Sequence, residues 1–327
     1  MMRRIARRLV QGTPLERPAR AALAAWRGTP PSQGNGPLPY PPTFRPFDLP
    51  TGVTEESLRA TFESLAIDDG KPGDLKVYVD DSMYRFIHTW SLVRNESGRC
   101  LELGANPYFL THMLHEHSNL DLTLANYFGG EEGRWDQTVS WDDGNGRRSE
   151  RFWFDHFNLE ESVFPYEDAT FDVVLFCEII EHLLMNPVHT LREIRRVLKP
   201  GGLLVATTPN VARLWNVLSM VDGLSIYDPY SGFGAYGRHN REYSLHELVQ
   251  LCRFCGFETE SAFTADGHHV DYSGHPKFQD ALRLVDWRRN DLGHYLFVAM
   301  RASAEPQPGF PASLYRSHPA EQLNSSW

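Results

Sequence analysis

Glu178, Glu181 and His182 follow the apolar run Phe171–Cys177 at spacings i, i+3 and i+4, which gather on one face if the segment is helical. Two carboxylates and an imidazole turned into a crevice are costly to bury unless a cation or hydrogen bonds compensate them. The plainer reading is that His182 caps a helix while the glutamates meet solvent or a cofactor. A second chemistry-bearing stretch is Leu101-Glu102-Leu103-Gly104-Ala105-Asn106-Pro107, just before a predicted helix. An acidic residue and a glycine at the carboxyl end of the first strand of an open α/β sheet mark the crevice where such folds bind nucleotide-like ligands.

The elements that must position these residues are legible along the chain. Its 327 residues and 41% hydrophobic content allow one large α/β domain with appendages and exclude wholesale disorder or a fibrous repeat. The balance 32 − 42 = −10 argues against a nucleic-acid partner, because phosphate contacts need clustered Lys and Arg. Seven strand candidates, Cys100 to Gly104, Asp121 to Phe128, Arg151 to Phe157, Phe171 to Cys177, Leu203 to Thr208, Phe257 to Phe263 and Tyr295 to Met300, alternate with helical segments. That alternation predicts a doubly wound, Rossmann-like parallel sheet with crossover helices. Thr54 caps a helix through Leu58, Phe62 and Leu65, a second helix covers about Ser82 to Val93, Asn186-Pro187 opens a third, and Ser244 with Glu247 forms a capping box for a fourth.

Four divisions follow: a Pro-rich N-terminal arm over 1–50, a helical cap over 51–95, the main domain over 96–302 with a lid insertion at about 211–243, and a loose C-terminal tail over 303–327. The arm can wrap a partner subunit of a homo-oligomer or its own body. Met2, Ile5 and Leu9 against four arginines admit a short membrane-surface helix, though a frayed tail explains them more simply. No run is long enough to span a bilayer or reads as a secretory signal, and Cys100, Cys177, Cys252 and Cys255 fall in apolar segments. Both points fit a reducing cytoplasm, and the Cys252-x-x-Cys255 pair has no second pair to make a zinc site.

Residues 98–300 resemble the class I S-adenosylmethionine-dependent methyltransferases. Three landmarks carry the likeness: Glu102-Leu103-Gly104, the Phe171-Asp172-Val173-Val174 strand leading into Glu178-Ile179-Ile180-Glu181-His182, and Leu198-Lys199-Pro200-Gly201-Gly202. The chain departs from the usual glycine-rich loop, with Asn106 and Tyr108 where further glycines are common, and Asn106 tolerates the left-handed turn best among such residues. The resemblance implies that Glu102 or Gly104 meets the amino-acid end of S-adenosylmethionine, that Asn126 stands for the usual acidic ribose ligand, and that Asp155, His156 and Phe157 approach the adenine.

Glu178, Glu181 and His182 are similar to the metal-binding element of ubiquinone-pathway O-methyltransferases and small-RNA terminal 2′-O-methyltransferases. In the latter branch a further histidine lies downstream, and Arg238-His239-Asn240-Arg241-Glu242-Tyr243-Ser244 has that layout. The resemblance therefore implies Glu178, Glu181, His182 and His239 as ligands of one Mg²⁺ or Mn²⁺ ion. Four ligands leave two octahedral positions for a vicinal diol. Without a metal, His182 or His239 serves as general base. Tyr227, Tyr230, Tyr236 and Arg238 in the insertion, with Tyr84 and His88 on the earlier helix, suit a sugar that stacks on aromatic faces. Sugar and polysaccharide O-methyltransferases are thus the favoured likeness. The alternatives are a metal-independent methyltransferase of a small aromatic or lipid hydroxyl, and a non-catalytic cofactor-binding scaffold.

Overall fold

The computed structural model describes residues 45–68, 70 and 74–325. Most of the Pro-rich arm, with its candidate membrane-surface helix, lies outside the described residues. Nine strands form one sheet: β1 (Ala66–Ile67), β2 (Ser97–Leu103), β3 (Asn119–Asn126), β4 (Gly133–Asp142), β5 (Arg147–His156), β6 (Phe171–Cys177), β7 (Leu198–Pro209), β8 (Glu258–Ala265) and β9 (Tyr295–Arg301). Their order is β1-β4-β5-β3-β2-β6-β7-β9-β8. The central pairs β5/β3, β3/β2, β2/β6 and β6/β7 are parallel, while β9 runs antiparallel to both neighbours. All seven expected strands are present, so the α/β doubly wound reading holds.

Two strands of this sheet were not anticipated. β4 folds back on β5 as an antiparallel hairpin from Gly133 to His156, and β1 adds two residues to its outer edge. Gln137, Val139 and Trp141 face inward and are buried, whereas Arg134 and Asp142 are exposed. One face of this hairpin meets solvent, as an antiparallel edge allows.

Helices cover both faces of the sheet, which is why Val173–Cys177 of β6 is a continuous apolar run rather than an alternating one. On one face lie α1 (Glu55–Ser64), α2 (Asp74–Val93) and α3 (Phe109–His117), whose Phe62, Ile87 and Phe109 pack on Cys100, Val173 and Val205. On the other lie α4 (Pro187–Val197) and, after α5 (Leu214–Val221), α6 (Leu245–Phe254), with Leu191, Ile194, Leu248 and Leu251 on Val174, Phe176 and Leu204. Helix α2 begins well before Ser82, because its first turns pack over α1 rather than over the sheet. A third, smaller core joins α5 to α7 (Phe278–Val285) through Leu214, Leu218, Tyr272 and Leu282. Helix α5 thus opens the expected insertion, and an irregular stretch then runs to Tyr243.

The C-terminal segment departs from expectation, since it is docked rather than loose. β10 (Phe310–Pro311) pairs with β11 (Leu323–Asn324). Arg192 of α4 donates to the carbonyls of Gln307 and Gly309 at 2.7 and 2.8 Å, and Phe310 stacks near Tyr315 and His318.

The caps match their signals. Thr54 accepts from Ser57 N–H, Asn186 accepts from His189 N–H with Pro187 in the first turn, and Ser244 and Glu247 satisfy each other's backbone donors. Replacing Ser244 removes one acceptor for α6's first turn, so Ser244→Ala should cost about 1 kcal/mol in urea unfolding. An unchanged midpoint would contradict that role for the cap.

Candidate active site

β2 turns towards β3 on one side while β6 turns towards β7 on the other, and the crevice opens beyond their carboxyl ends. Gly104 takes φ +68° there, and a Cβ on it would come within 2.6 Å of Ile179 Cδ1. The positive φ favours glycine, and a side chain here would also have to displace the end of Ile179. Asn106, Tyr108, Asn126 and Gln137 then lock the loop between β2 and α3. The Asn106 N–H donates to Asn126 Oδ1 at 2.9 Å, Asn126 Nδ2 donates to Tyr108 Oη at 3.3 Å, and Gln137 Oε1 accepts from Asn106 Nδ2 at 3.2 Å and Tyr108 Oη at 2.7 Å. Asn126, expected at a ribose, has its amide committed to this loop. Glu102 is buried and accepts from Thr111 Oγ1 at 2.7 Å, and burial pushes its carboxyl up to about 8.

Asp155 accepts from Tyr166 Oη at 2.8 Å, and Phe157 packs in the core against Phe164. His156 is 1% exposed, and its ring is satisfied on both sides. Its Nδ1 bonds the Glu131 carbonyl at 2.8 Å and its Nε2 accepts from Phe128 N–H at 2.9 Å, which fixes a neutral tautomer. Trp135 lies flat on it at 3.9 Å. Beside the end of β3, Tyr127, Phe128 and Trp135 thus form an aromatic cluster around His156.

The segment after β6 is not a regular helix: Glu178 adopts φ +55° and only Ile180–His182 form a single 3₁₀ turn. This twist separates the residues expected to act together. Glu178 turns to Arg85 Nη1 at 2.7 Å and accepts from Thr207 Oγ1 at 2.8 Å, so both its oxygens are engaged. Glu181, His182 and His239 do gather, with their ligand-capable atoms all within 4.8 Å of one another, and Glu178 is not part of that group.

Glu181 has no exposed side-chain surface. Its Oε2 accepts from Thr208 Oγ1 at 2.8 Å, while Oε1 is buried with no hydrogen-bond partner and lies 3.9 Å from His182 Nε2. Such an orphan costs about 1–3 kcal/mol or more when charged. His182 Nδ1 is held by the Arg238 carbonyl at 3.0 Å and His239 Nδ1 by Glu242 Oε1 at 3.1 Å, with the rings 5.0 Å apart. Carboxylates or carbonyls on the far nitrogen are how metal-ligating imidazoles are oriented. Burial, reinforced by Glu178, pushes the Glu181 carboxyl up. Burial and the neighbouring His239 pull His182 down, whereas for His239 burial is outweighed by Glu242, Glu181 and Asp228, and its pKa rises.

The loop bearing His239 is sewn onto this turn. The N–H groups of Asn240 and Arg241 both donate to the Glu181 carbonyl, at 2.7 and 3.1 Å, and Asn240 Nδ2 donates to the His182 carbonyl at 2.9 Å. Among the proposed acceptor residues, Tyr236 reaches the site rim, bonding Asn158 and Glu160 at 3.2 and 3.3 Å. Tyr227 and Tyr230 are 87% and 93% exposed, with the Arg238 guanidinium 5.0 Å over Tyr230.

Tyr84 and His88 are not at the crevice. Tyr84 Oη bonds Glu55 at 3.0 Å, and buried His88 packs among Phe47, Phe263 and Phe297, where burial lowers it to about 4. The face of α2 that lines the crevice is instead Tyr78, Arg85, Phe86 and Thr89, with Arg85 and Thr89 one residue on from Tyr84 and His88, about 100° round the helix. Arg85, Thr207, Thr208 and Glu242 were missed from sequence; only Glu242 had a local signal, three residues after His239.

Residues 138–206 match the methyltransferase-domain family. A protein of Mycolicibacterium smegmatis described as an S-adenosylmethionine-dependent methyltransferase is 35% identical over 105 residues, which are 32% of this chain and 35% of that protein. Among solved structures, the complex of the Haloferax volcanii Trm112 methyltransferase activator with a methyltransferase contains a similar chain, at TM-score 0.44 and 16% identity, covering 70% of this chain and 93% of that one. The Burkholderia thailandensis 1,6-didemethyltoxoflavin-N1-methyltransferase, solved with S-adenosylhomocysteine, gives 0.41 and 15%, covering 69% and 81%. The fold is an α/β, Rossmann-like one with a mainly parallel central sheet, and the family match runs from within β4 to within β7.

Gly104 permits the tight turn, and a cavity lined by Arg85, Glu102, Gly104, Asn106, Glu178 and Thr207 lies beside it at the switch point.

Glu102 supplies a test of the site's electrostatics. It loses its proton near pH 8 when folded against 4.5 for the ordinary group, so between these values the folded chain holds a proton the unfolded one has released, and stability falls as pH rises. Relative to Glu102→Gln, the urea midpoint of the native chain should therefore drop between pH 4.5 and pH 8. A constant difference would contradict the burial effect.

Proposed function

We propose that the chain is an S-adenosylmethionine-dependent O-methyltransferase that methylates a hydroxyl of a saccharide or related diol, assisted by one divalent cation at Glu181, His182 and His239. The observation that carries the reading is the buried, unpartnered Glu181 Oε1 facing two imidazoles whose far nitrogens are already held. With Glu178 engaged by Arg85, three protein donors remain rather than four, and two are nitrogens. That set suits Mn²⁺ or another transition ion better than Mg²⁺.

S-adenosylmethionine would supply a methyl group on a sulfonium, and the cation would lower the cost of ionising an alcohol at neutral pH. The chain's own part is positioning. Thr208 and Glu242 orient Glu181 and His239, and the Asn240 and Arg241 contacts bring the lid over the crevice. Tyr236, and the exposed Tyr227 and Tyr230, support a carbohydrate acceptor, because aromatic faces pair with sugar C–H surfaces while neighbouring polar groups meet hydroxyls. His182, with its pKa lowered, is neutral near pH 7 and is the base on which a metal-free reaction would depend.

Two measurements test this. Calorimetric titration with Mn²⁺ should show one site per chain, weakened at least about tenfold in Glu181→Gln and His239→Asn, with S-adenosylhomocysteine affinity kept within a few fold. Methyl transfer to a panel of glycosides should then be abolished by a chelator. Chelator-insensitive turnover would favour the histidine base, and no turnover with any hydroxyl acceptor would overturn the O-methyltransferase reading.

A further inference from the structure

Residues 214–237 leave an unusual amount of apolar surface in water. Trp215 and Met220 of α5, with Leu224, Tyr227, Tyr230 and Phe233 of the insertion, are each more than half exposed. Single exposed apolar side chains are ordinary, whereas six in one short segment mark a contact surface. The same segment holds only two charged residues, and both are engaged. Asp222 meets His275 and Lys277 at 2.8 and 2.9 Å, and Asp228 accepts from the His239 N–H at 3.0 Å. Covering this surface therefore strips water from few free charges.

Charge identifies what covers it. The small core that joins α5 to α7 brings up residues 277–289, where Lys277, Arg283, Arg288 and Arg289 stand against Asp280 and Asp286, 4 − 2 = +2. Residues 1–44 carry seven arginines and one glutamate, 7 − 1 = +6, with Met2, Ile5 and Leu9 interleaved among the first four. Residues 45–327 are left with −10 − 6 = −16. Such an acidic body is repelled by an anionic surface except where its own basic and apolar groups gather. A second copy of this chain, itself at −10, is a poorer match on charge. Trp and Tyr, apolar with a polar edge, suit the headgroup layer of a bilayer.

We infer that this surface and the basic arm together dock the chain on an anionic lipid bilayer, the aromatic side chains entering the headgroup layer and the arginines meeting lipid phosphates. One such signal binds only marginally, and two in combination hold. The docked surface adjoins the cation cluster, since Asp228 holds the His239 N–H and the Arg238 guanidinium lies 5.0 Å from the Tyr230 ring. Resting on the O-methyltransferase reading, docking brings that cluster to hydroxyls carried by lipid headgroups.

Flotation of the full chain with vesicles tests this. Vesicles of phosphatidylglycerol and phosphatidylcholine in equal parts should be bound at least about tenfold more tightly than phosphatidylcholine alone, a preference lost in about 1 M salt. Leu224→Ser/Phe233→Ser, at exposed positions outside the cluster, should weaken binding at least about tenfold and leave S-adenosylhomocysteine affinity within a few fold. Replacing Arg3, Arg4, Arg7 and Arg8 together by Gln should weaken it by a similar factor. Binding indifferent to phosphatidylglycerol, or retained in full by either variant, overturns the inference. So does a native chain that self-associates through Leu224 and Phe233 without floating. Vesicle binding with no methyl transfer to any hydroxyl acceptor would leave the docking standing and overturn the O-methyltransferase reading instead.

Discussion

A single buried carboxylate organises the carboxyl end of this sheet. Glu181 has one oxygen on Thr208 of β7, another facing two imidazoles, and a backbone carbonyl that receives two N–H groups of the returning lid. Burying it without these contacts would cost more than most side chains contribute to stability. The 3₁₀ turn, the end of β7 and the 238–241 loop are therefore held together by the need to satisfy one residue.

The neighbouring Glu178 shows how backbone conformation decides chemistry. At helical spacing it would stand with Glu181 and His182, but its left-handed backbone turns it to Arg85 instead. The result is two adjoining electrostatic compartments separated by one turn of chain. One holds a compensated ion pair beside Gly104; the other holds an uncompensated carboxylate between imidazoles.

Much of this was readable in the sequence, for identifiable reasons. β6 is buried on both faces and so announces itself by the continuous apolar run Val173–Cys177, and the caps at Thr54, Asn186 and Ser244 are local hydrogen-bond motifs that need no tertiary knowledge. The β4 strand escaped notice because Arg134, Asp136 and Asp142 dilute its alternation, and its partner β5 is joined through a polar Gly-containing turn. Tyr84 and His88 were misplaced because a helix's period gives relative faces, while which face meets the crevice depends on how α2 packs over α1 and β9. His156 and Asn126 sit where the family pattern puts cofactor contacts, yet their side chains bond their own loops, a property of tertiary pairing.

His239 belongs to no strand or helix; it reaches its neighbours only because Asn240 and Arg241 clasp the Glu181 carbonyl and Asn240 clasps that of His182. The segment that docks on the 3₁₀ turn is thus also the carrier of one member of the cluster. Were that segment to come away, His239 would leave Glu181 and His182 with it, so the cluster exists only while the segment is docked.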